Sequence, residues 1–352
     1  MTAKSQKCFL LTVDVEDWFQ VENFKTSIPF DTWNERELRV ERNTHRLLDL
    51  LDEGKEGSRI QGSRDSRVTN IWTKNSGVRS QESESEKWET GADNVFNESK
   101  QQTNSPHEPS VHATFFVLGW IAKKLPGLIR EIHSRGHEVA SHGNNHHLCT
   151  AESAESLKKD LTDSKERLED IIGGPVQGYR APSFSINNDI LKVIEDAGYL
   201  YDASYNSFDK HGRYGKLSTC GYRKAGIAFR ISDGFYEIPV SNLCLKPIAH
   251  SLQPVVFPFG GGGYFRLIPY LVFRKGIQRI LKMDGTYSFY LHPWEIDPGQ
   301  PRVENAPTLL KFRHYVNLAS TASKIERMLS DFRDCRFVTC GEYVEAIAIE
   351  RL

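Results

Sequence analysis

The sequence predicts an α/β protein whose parallel sheet closes toward a barrel, and three observations carry that prediction. Short apolar runs alternate with amphipathic stretches along most of the 352 residues, the pattern of strands joined by helical crossovers. No glycine-rich phosphate loop follows the first strand, which argues against a doubly wound sheet. The polar clusters fall at the carboxyl ends of strands, where barrels of this type carry their chemistry.

Taken in order, the first strand is Cys8 to Val13, an apolar run of the kind buried in parallel sheets. A helix is predicted from about Asn43 to Asp52, with Thr44 as its cap and Gly54 as its stop. From Glu53 to Ser110 the chain is dominated by Ser, Glu, Lys, Asn, Gln and Gly, with isolated Ile71, Trp72 and Trp88. Such a stretch buries too little apolar surface to offset the entropy of ordering, so a disordered insertion is expected. The second strand is Val111 to Val117, and a helix from Pro126 to Ser134 follows, with Gly136 past its end. Glu138-Val139-Ala140 is the third strand and leads into Ser141-His142-Gly143-Asn144-Asn145-His146-His147. A long helix then presents Leu157, Leu161, Leu168, Ile171 and Ile172 on one face and stops at Gly173-Gly174-Pro175. Strands near Val176 to Tyr179, Leu200 to Ala203, Tyr236 to Val240 and Thr286 to Leu291, with helices at Ile186 to Ala197 and Leu267 to Met283, complete the series.

Bulk properties narrow the function. Lysine plus arginine total 45 against 46 acids, so no strong field favouring nucleic acid or an anionic membrane is expected. The six cysteines show no C-x-x-C pair, and a reduced, intracellular setting is the simpler expectation. Met1 to Lys7 is polar and the apolar run after it is short, so a cytoplasmic protein without a signal peptide is expected. No stretch reaches the roughly 18 apolar residues of a membrane span.

The chemistry-bearing residues cluster. His142 and His146 lie four apart, one helical turn or one tight loop, so both imidazoles can point at one spot. The first strand ends in Thr12-Val13-Asp14-Val15-Glu16-Asp17-Trp18, and strand alternation puts Asp14 and Glu16 on one face. One carboxylate and two imidazoles form a hydrolytic zinc set that leaves a position open for water. Three more strand ends carry Arg180 in Tyr179-Arg180-Ala181-Pro182-Ser183-Phe184, Asp202 in Tyr201-Asp202-Ala203-Ser204, and His292 in Tyr290-Leu291-His292-Pro293-Trp294. Gly260 to Gly263 is either a backbone surface for a sugar or a flexible turn, and Trp18, Trp294 and Tyr264 are candidate sugar-stacking aromatics.

In this order the motifs resemble the polysaccharide deacetylase family, the NodB-homology domain or carbohydrate esterase family 4. Three longer motifs resemble a subgroup tied to exosortase-type exopolysaccharide loci: Gly261-Gly262-Gly263-Tyr264-Phe265-Arg266, His292-Pro293-Trp294-Glu295 and Phe312-Arg313-His314-Tyr315-Val316-Asn317-Leu318. The resemblance implies a distorted, incomplete (β/α) barrel over residues 1–52 and 111–300, the insertion at 53–110, and a C-terminal extension, 301–352, packed on the barrel. It implies a divalent metal, zinc before cobalt, held by Glu16, His142 and His146, with Asp17 the alternative to Glu16. Asp14 is the implied general base, Arg180 the partner that keeps it ionised, His292 the acid, and Asp202 the carboxylate that holds His292. A backbone N–H near Ser183 is the implied oxyanion donor, although Arg180-Ala181-Pro182-Ser183 departs from the commoner double-proline form. His147 is a bystander. The expected activity is removal of acetyl groups, N-acetyl before O-acetyl, from an exopolysaccharide or its lipid-linked or nucleotide-linked precursor. Nucleic acid is not an expected partner. The rivals are an amide hydrolase of small ureides and an inactive glycan-binding protein.

Overall fold

The computed structural model describes residues 6–56, 111–208, 214–245 and 255–349. Its main sheet is assembled from β1 (Cys8–Val15), β2 (Ala113–Val117), β3 (Glu138–Ser141), β4 (Gly178–Tyr179), β5 (Tyr201–Asp202), β6 (Arg223–Ala225), β7 (Ala228–Arg230), β8 (Tyr236–Glu237), β11 (Thr286–Leu291) and β12 (Arg336–Phe337). β9 (Leu243–Leu245) and β10 (Val255–Phe257) form a separate antiparallel pair. Neighbours run β11-β1-β2-β3-β4-β5-β8 in parallel, and β7 and β6 continue antiparallel from β8.

Every residue of β1 from Phe9 to Val15 is buried, as expected for the middle of a sheet covered on both faces. Beyond β8 the chain returns to β11. Ser241 N–H donates to the Ser288 carbonyl at 3.1 Å, and Tyr290 N–H donates to the Gly260 carbonyl at 2.9 Å. Isolated links in place of a full ladder leave a curled, incomplete barrel, in agreement with the fold expected.

The crossovers are α2 (Gly119–Lys124) and α3 (Pro126–Ser134) between β2 and β3, α4 (Ala154–Ile172) before β4, and α5 (Asn188–Asp196) before β5. Gly173 ends α4 at φ 69°, a left-handed stop that glycine adopts without steric cost. α1 (Val40–Glu56) corrects two expectations. It starts before Thr44, which sits inside the helix, and it runs through Gly54. Its first amides are capped from a distant residue, Asp17, which local sequence cannot reveal. The expected insertion from 53 begins within α1, and from 57 to 110 it lies outside the described residues.

The helix read over Leu267 to Met283 is two helices, α6 (Gly262–Leu267) and α7 (Tyr270–Asp284). Pro269 forces the residue before it into an extended conformation, and Ile268 has φ −80° and ψ 137°. After α7 come β11, a 3-10 turn at Pro293–Ile296, α8 (Thr308–Tyr315), α9 (Thr321–Asp331), β12 beside β1, and α10 (Cys340–Ile349). No described helix is long and apolar enough to cross a membrane.

Candidate metal and hydrolytic site

The site grows from the end of β1. Thr12 and Asp14 share a face by strand alternation, and just past the strand Glu16 N–H donates to the Asp14 carbonyl at 2.9 Å. That tight turn places Glu16 beside the two histidines. Its Oε1 lies 2.9 Å from His142 Nε2 and 3.0 Å from His146 Nε2, with all three side chains buried. Asp17 points the other way, accepting from Arg39 N–H at 2.6 Å and Val40 N–H at 2.9 Å.

The histidines sit in a loop, not on a helical turn. Gly119 and Trp120, at the start of α2, donate their N–H groups to the carbonyls of Gly143 and Asn144 at 2.9 Å each. From α4, Asp160 accepts from Asn144 N–H at 2.9 Å and Arg167 donates to Asn144 Oδ1 at 2.6 Å. His146 itself holds a left-handed φ of 58°, a conformation maintained only where the surroundings fix it. His147 turns outward toward Glu152, 3.4 Å away.

These residues fit a divalent ion. Among the described residues, the one group of three potential ligands whose donor atoms lie within 4.8 Å of one another is Glu16, His142 and His146. His142 Nδ1 lies 2.7 Å from the Arg180 carbonyl, an acceptor only, which fixes a proton on Nδ1 and turns Nε2, the nitrogen that would ligate an ion, toward Glu16. Burial would raise the Glu16 pKa, yet the charges of His146 and His292 and the hydrogen bonds from His142 and His146 hold it well below the usual carboxylate range. A site that keeps its carboxylate ionised and its imidazole nitrogens converging is chemically suited to a borderline cation.

Beside this group lies a second carboxylate with a different partner. The buried Arg180 guanidinium donates to Asp14 Oδ1 and Thr12 Oγ1, both at 2.7 Å, and to the Ala203 carbonyl at 2.8 Å, while its plane rests 4.1 Å from the Phe116 ring centroid. Asp14 Oδ2 faces the opposite wall, 3.9 Å from His292 Nε2. His292 Nε2 is also 3.8 Å from Glu16.

The carboxylate that holds His292 is Glu295, not Asp202, which corrects the sequence expectation. Glu295 Oε1 lies 2.9 Å from His292 Nδ1, and Glu295 Oε2 accepts from Arg266 Nε at 2.7 Å. Asp202 instead accepts from Ser204 Oγ at 2.7 Å and pairs in register with Glu237 on β8. Burial raises the Asp202 pKa against hydrogen bonds from Glu237 and Ser204, while burial and the Asp202 charge push Glu237 well above the usual carboxylate range, so Glu237 holds the proton of the pair. Burial opposes charging His292, but Glu16, Glu295 and Asp14 outweigh it and hold the imidazolium up to about 9.

The cleft over these groups has a volume of about 140 Å³, and Asp14, Glu16, His142, His146, Ser183 and His292 are all on its wall. Ser183 has φ 52° and Phe184 φ 57°, two successive left-handed residues at the end of β4. The stacking aromatics need correction. Trp294 is on the cleft wall, but it is buried and its ring is already stacked with His292 at 5.2 Å and His314 at 4.1 Å. Trp18 is buried and donates Nε1–H to the Glu37 carbonyl, and Tyr264 packs edge-on to Phe208, away from the lining.

The glycine run is neither a flexible turn nor wholly a sugar platform. A Cβ at Gly262 would sit 2.2 Å from Glu295 Oε1, and one at Gly261 2.8 Å from the Tyr290 ring, so close packing requires both. Gly263 alone lines the cleft and has open space where a side chain would be. Glu295, Arg266 and Glu237 were not recognised from the sequence as site residues. The first two stand inside the C-terminal motifs quoted for resemblance, which was the available signal.

Comparison with known proteins places the chain among similar domains. Residues 107–201 match the family model described as polysaccharide deacetylase, and residues 203–345 match a domain of unknown function, DUF3473. The peptidoglycan-N-acetylglucosamine deacetylase of Bacillus cereus is 33% identical over 87 residues, 25% of this chain and 40% of that protein. A chitooligosaccharide deacetylase of Azorhizobium caulinodans is 32% identical over 92 residues, 26% of this chain and 44% of that protein. The peptidoglycan deacetylase of Helicobacter pylori is 31% identical over 165 residues, 46% of this chain and 52% of that protein. The chain therefore spans about half or less of the length of these relatives. A Mycobacterium smegmatis protein assigned to the polysaccharide deacetylases superposes with a TM-score of 0.56 at 18% identity, over 100% of this chain and 94% of that one, which establishes a shared fold.

Proposed function

We propose that this chain, which carries a polysaccharide deacetylase domain of the NodB type, hydrolyses acetyl groups on an acetylated glycan, N-acetyl in preference to O-acetyl. The observation that carries the reading is the juxtaposition of three sets of groups in one cleft: Glu16, His142 and His146; the Asp14–Arg180 pair; and His292 backed by Glu295. A divalent cation bound by the first set, zinc or cobalt by donor type, supplies Lewis acidity toward the acyl oxygen and acidifies water. The other residues supply the proton transfers. Arg180 fixes one oxygen of Asp14, leaving Oδ2 turned into the cleft to take a proton from the attacking water. His292, its Nδ1 on Glu295, presents Nε2–H to the leaving nitrogen, and a ring that stays protonated to about 9 suits an amine leaving group. Ser183, on the cleft wall in a left-handed turn, is the proposed oxyanion donor through its backbone.

The glycan we propose is an exopolysaccharide or its precursor, a reading that rests on the resemblance of the three C-terminal motifs. Peptidoglycan fragments and chitooligosaccharides, the substrates named for the relatives above, are the comparison set. The test is metal content of the purified protein together with acetate release from these glycans. Near one divalent ion per chain, lost in His142→Ala and in His146→Ala, with acetate release abolished in both and in Asp14→Asn, is the expected result. Folded wild-type protein that takes up no zinc or cobalt would sink the hydrolase reading.

A further inference from the structure

Exposed apolar side chains are concentrated beside the cleft. Leu267, Leu271 and Val272, at the junction of α6 and α7, are 50%, 62% and 53% exposed, and Leu309 and Phe312 on α8 are 69% and 55% exposed. α8 is locked to α6, because Arg266 donates to the carbonyls of Arg313, His314 and Val316. The outward face of α7 continues with Lys275, Arg279 and Lys282, all exposed and none in an ion pair among the described residues. No Asp or Glu occurs from Val255 to Met283, nor from Asn305 to Ile325. The same α6 carries Gly263 and Arg266 on the cleft wall, and α8 carries Arg313 there.

We propose that the α6–α7 face, with α8, docks on an anionic lipid bilayer. Scattered exposed leucines need no explanation, but aliphatic side chains grouped with unpaired cations, the neighbouring Asp331 being held by Arg274 and Tyr270 and Glu304 lying at the α8 edge, match the interface between acyl chains and anionic headgroups. Each lysine or arginine near such a surface adds electrostatic attraction, and each apolar side chain adds by leaving water. A second copy of the chain is a poorer occupant. A two-fold contact through this face would set Lys275, Arg279 and Lys282 against their own counterparts. Docking here would hold the cleft wall at the bilayer, where a glycan still carried on a lipid is found. The neutral overall charge of 45 cations against 46 acids conceals this local asymmetry.

The experiment is co-sedimentation of the full chain with vesicles of phosphatidylcholine alone, or of phosphatidylcholine mixed with phosphatidylglycerol, at low and high salt. It needs no activity, so its failure is separable from failure of the deacetylase reading. Binding to the mixed vesicles alone, released by salt, is expected. Lys275→Glu with Arg279→Glu should weaken it about tenfold or more, and Leu271→Ser with Val272→Ser should weaken it in the same direction. Both variants alter exposed positions, and a wild-type thermal transition verifies their fold. Absence of sedimentation, equal binding to neutral vesicles, full binding by the charge-reversed variant, or a self-association broken by the same substitutions would overturn the proposal.

Discussion

Glu295 sets the behaviour of His292 more directly than any other single residue. It holds the ring Nδ1, and it is itself kept below the usual carboxylate value, burial being outweighed by Arg266 and His292. Glu295→Gln keeps the shape while removing the charge, so the imidazolium loses a partner and its pKa falls. The alkaline fall in kcat/KM should therefore move to lower pH, with kcat reduced more than KM is raised; an unmoved alkaline limb would contradict the assigned role. This pairing spans three residues, His292 to Glu295, yet the family resemblance implied Asp202 in that role instead. Asp202 does end a strand, but that strand neighbours β8, where Glu237 occupies it. Strand alternation and spacing identified Asp14, Glu16 and the two histidines as a cluster. They could not show that a carboxylate within the next turn, rather than one across the sheet, would reach the ring.

At the level of elements, the least legible feature is the start of α1. Asp17, read as an alternative ligand, caps it from a position more than twenty residues upstream of Val40. Burial raises the Asp17 pKa to about 6 despite hydrogen bonds from the Arg39, Val40 and Trp18 amides. For an acid whose folded pKa is raised, stability improves as pH falls through about 6 toward the ordinary value of 3.8. Asp17→Ala, which leaves those buried amides without an acceptor, should cost about 1–2 kcal/mol in chemical denaturation. Asp17→Asn keeps an acceptor and should cost less, with that part of the pH dependence flattened. The long crossover helices and the outer limits of β11 were readable because periodicity and glycine stops are local. β4, β5 and β8 are two residues each, and only their neighbours in the sheet define them.

For the whole molecule, the cleft draws residues from the ends of β1, β3 and β11 and from the turn after β4, so ligand binding is linked to global stability. A divalent cation at about a hundredfold excess over its Kd would stabilise the fold by about 2.7 kcal/mol, or roughly 4–5 °C in Tm for a chain of this size. Calorimetry with added zinc checks this, and both His142→Ala and His146→Ala should remove the shift. Without metal the sign of the pH dependence follows from His292. Its pKa rises from 6.5 to about 9 on folding, so its stabilisation is complete below about 6.5 and is lost as pH climbs through 9. Urea denaturation in chelator at successive pH values should show that loss, and the loss should be smaller in Glu295→Gln. The alternation of strands and helices conveyed the barrel, whereas its incomplete closure depends on Ser241 and Gly260 meeting β11, contacts between distant segments with no local signature.

The packing of Gly262 against Glu295 also bears on how such sequences can diverge. Any side chain at position 262 collides with the carboxylate, so a lineage cannot enlarge that residue without first shrinking or displacing its neighbour, and the intermediate forfeits the group that holds His292. The two positions are thus expected to drift together or not at all. Relatives with a larger residue at 262 should have given up the acid at 295, and with it the group that fixes the Nδ1 of His292.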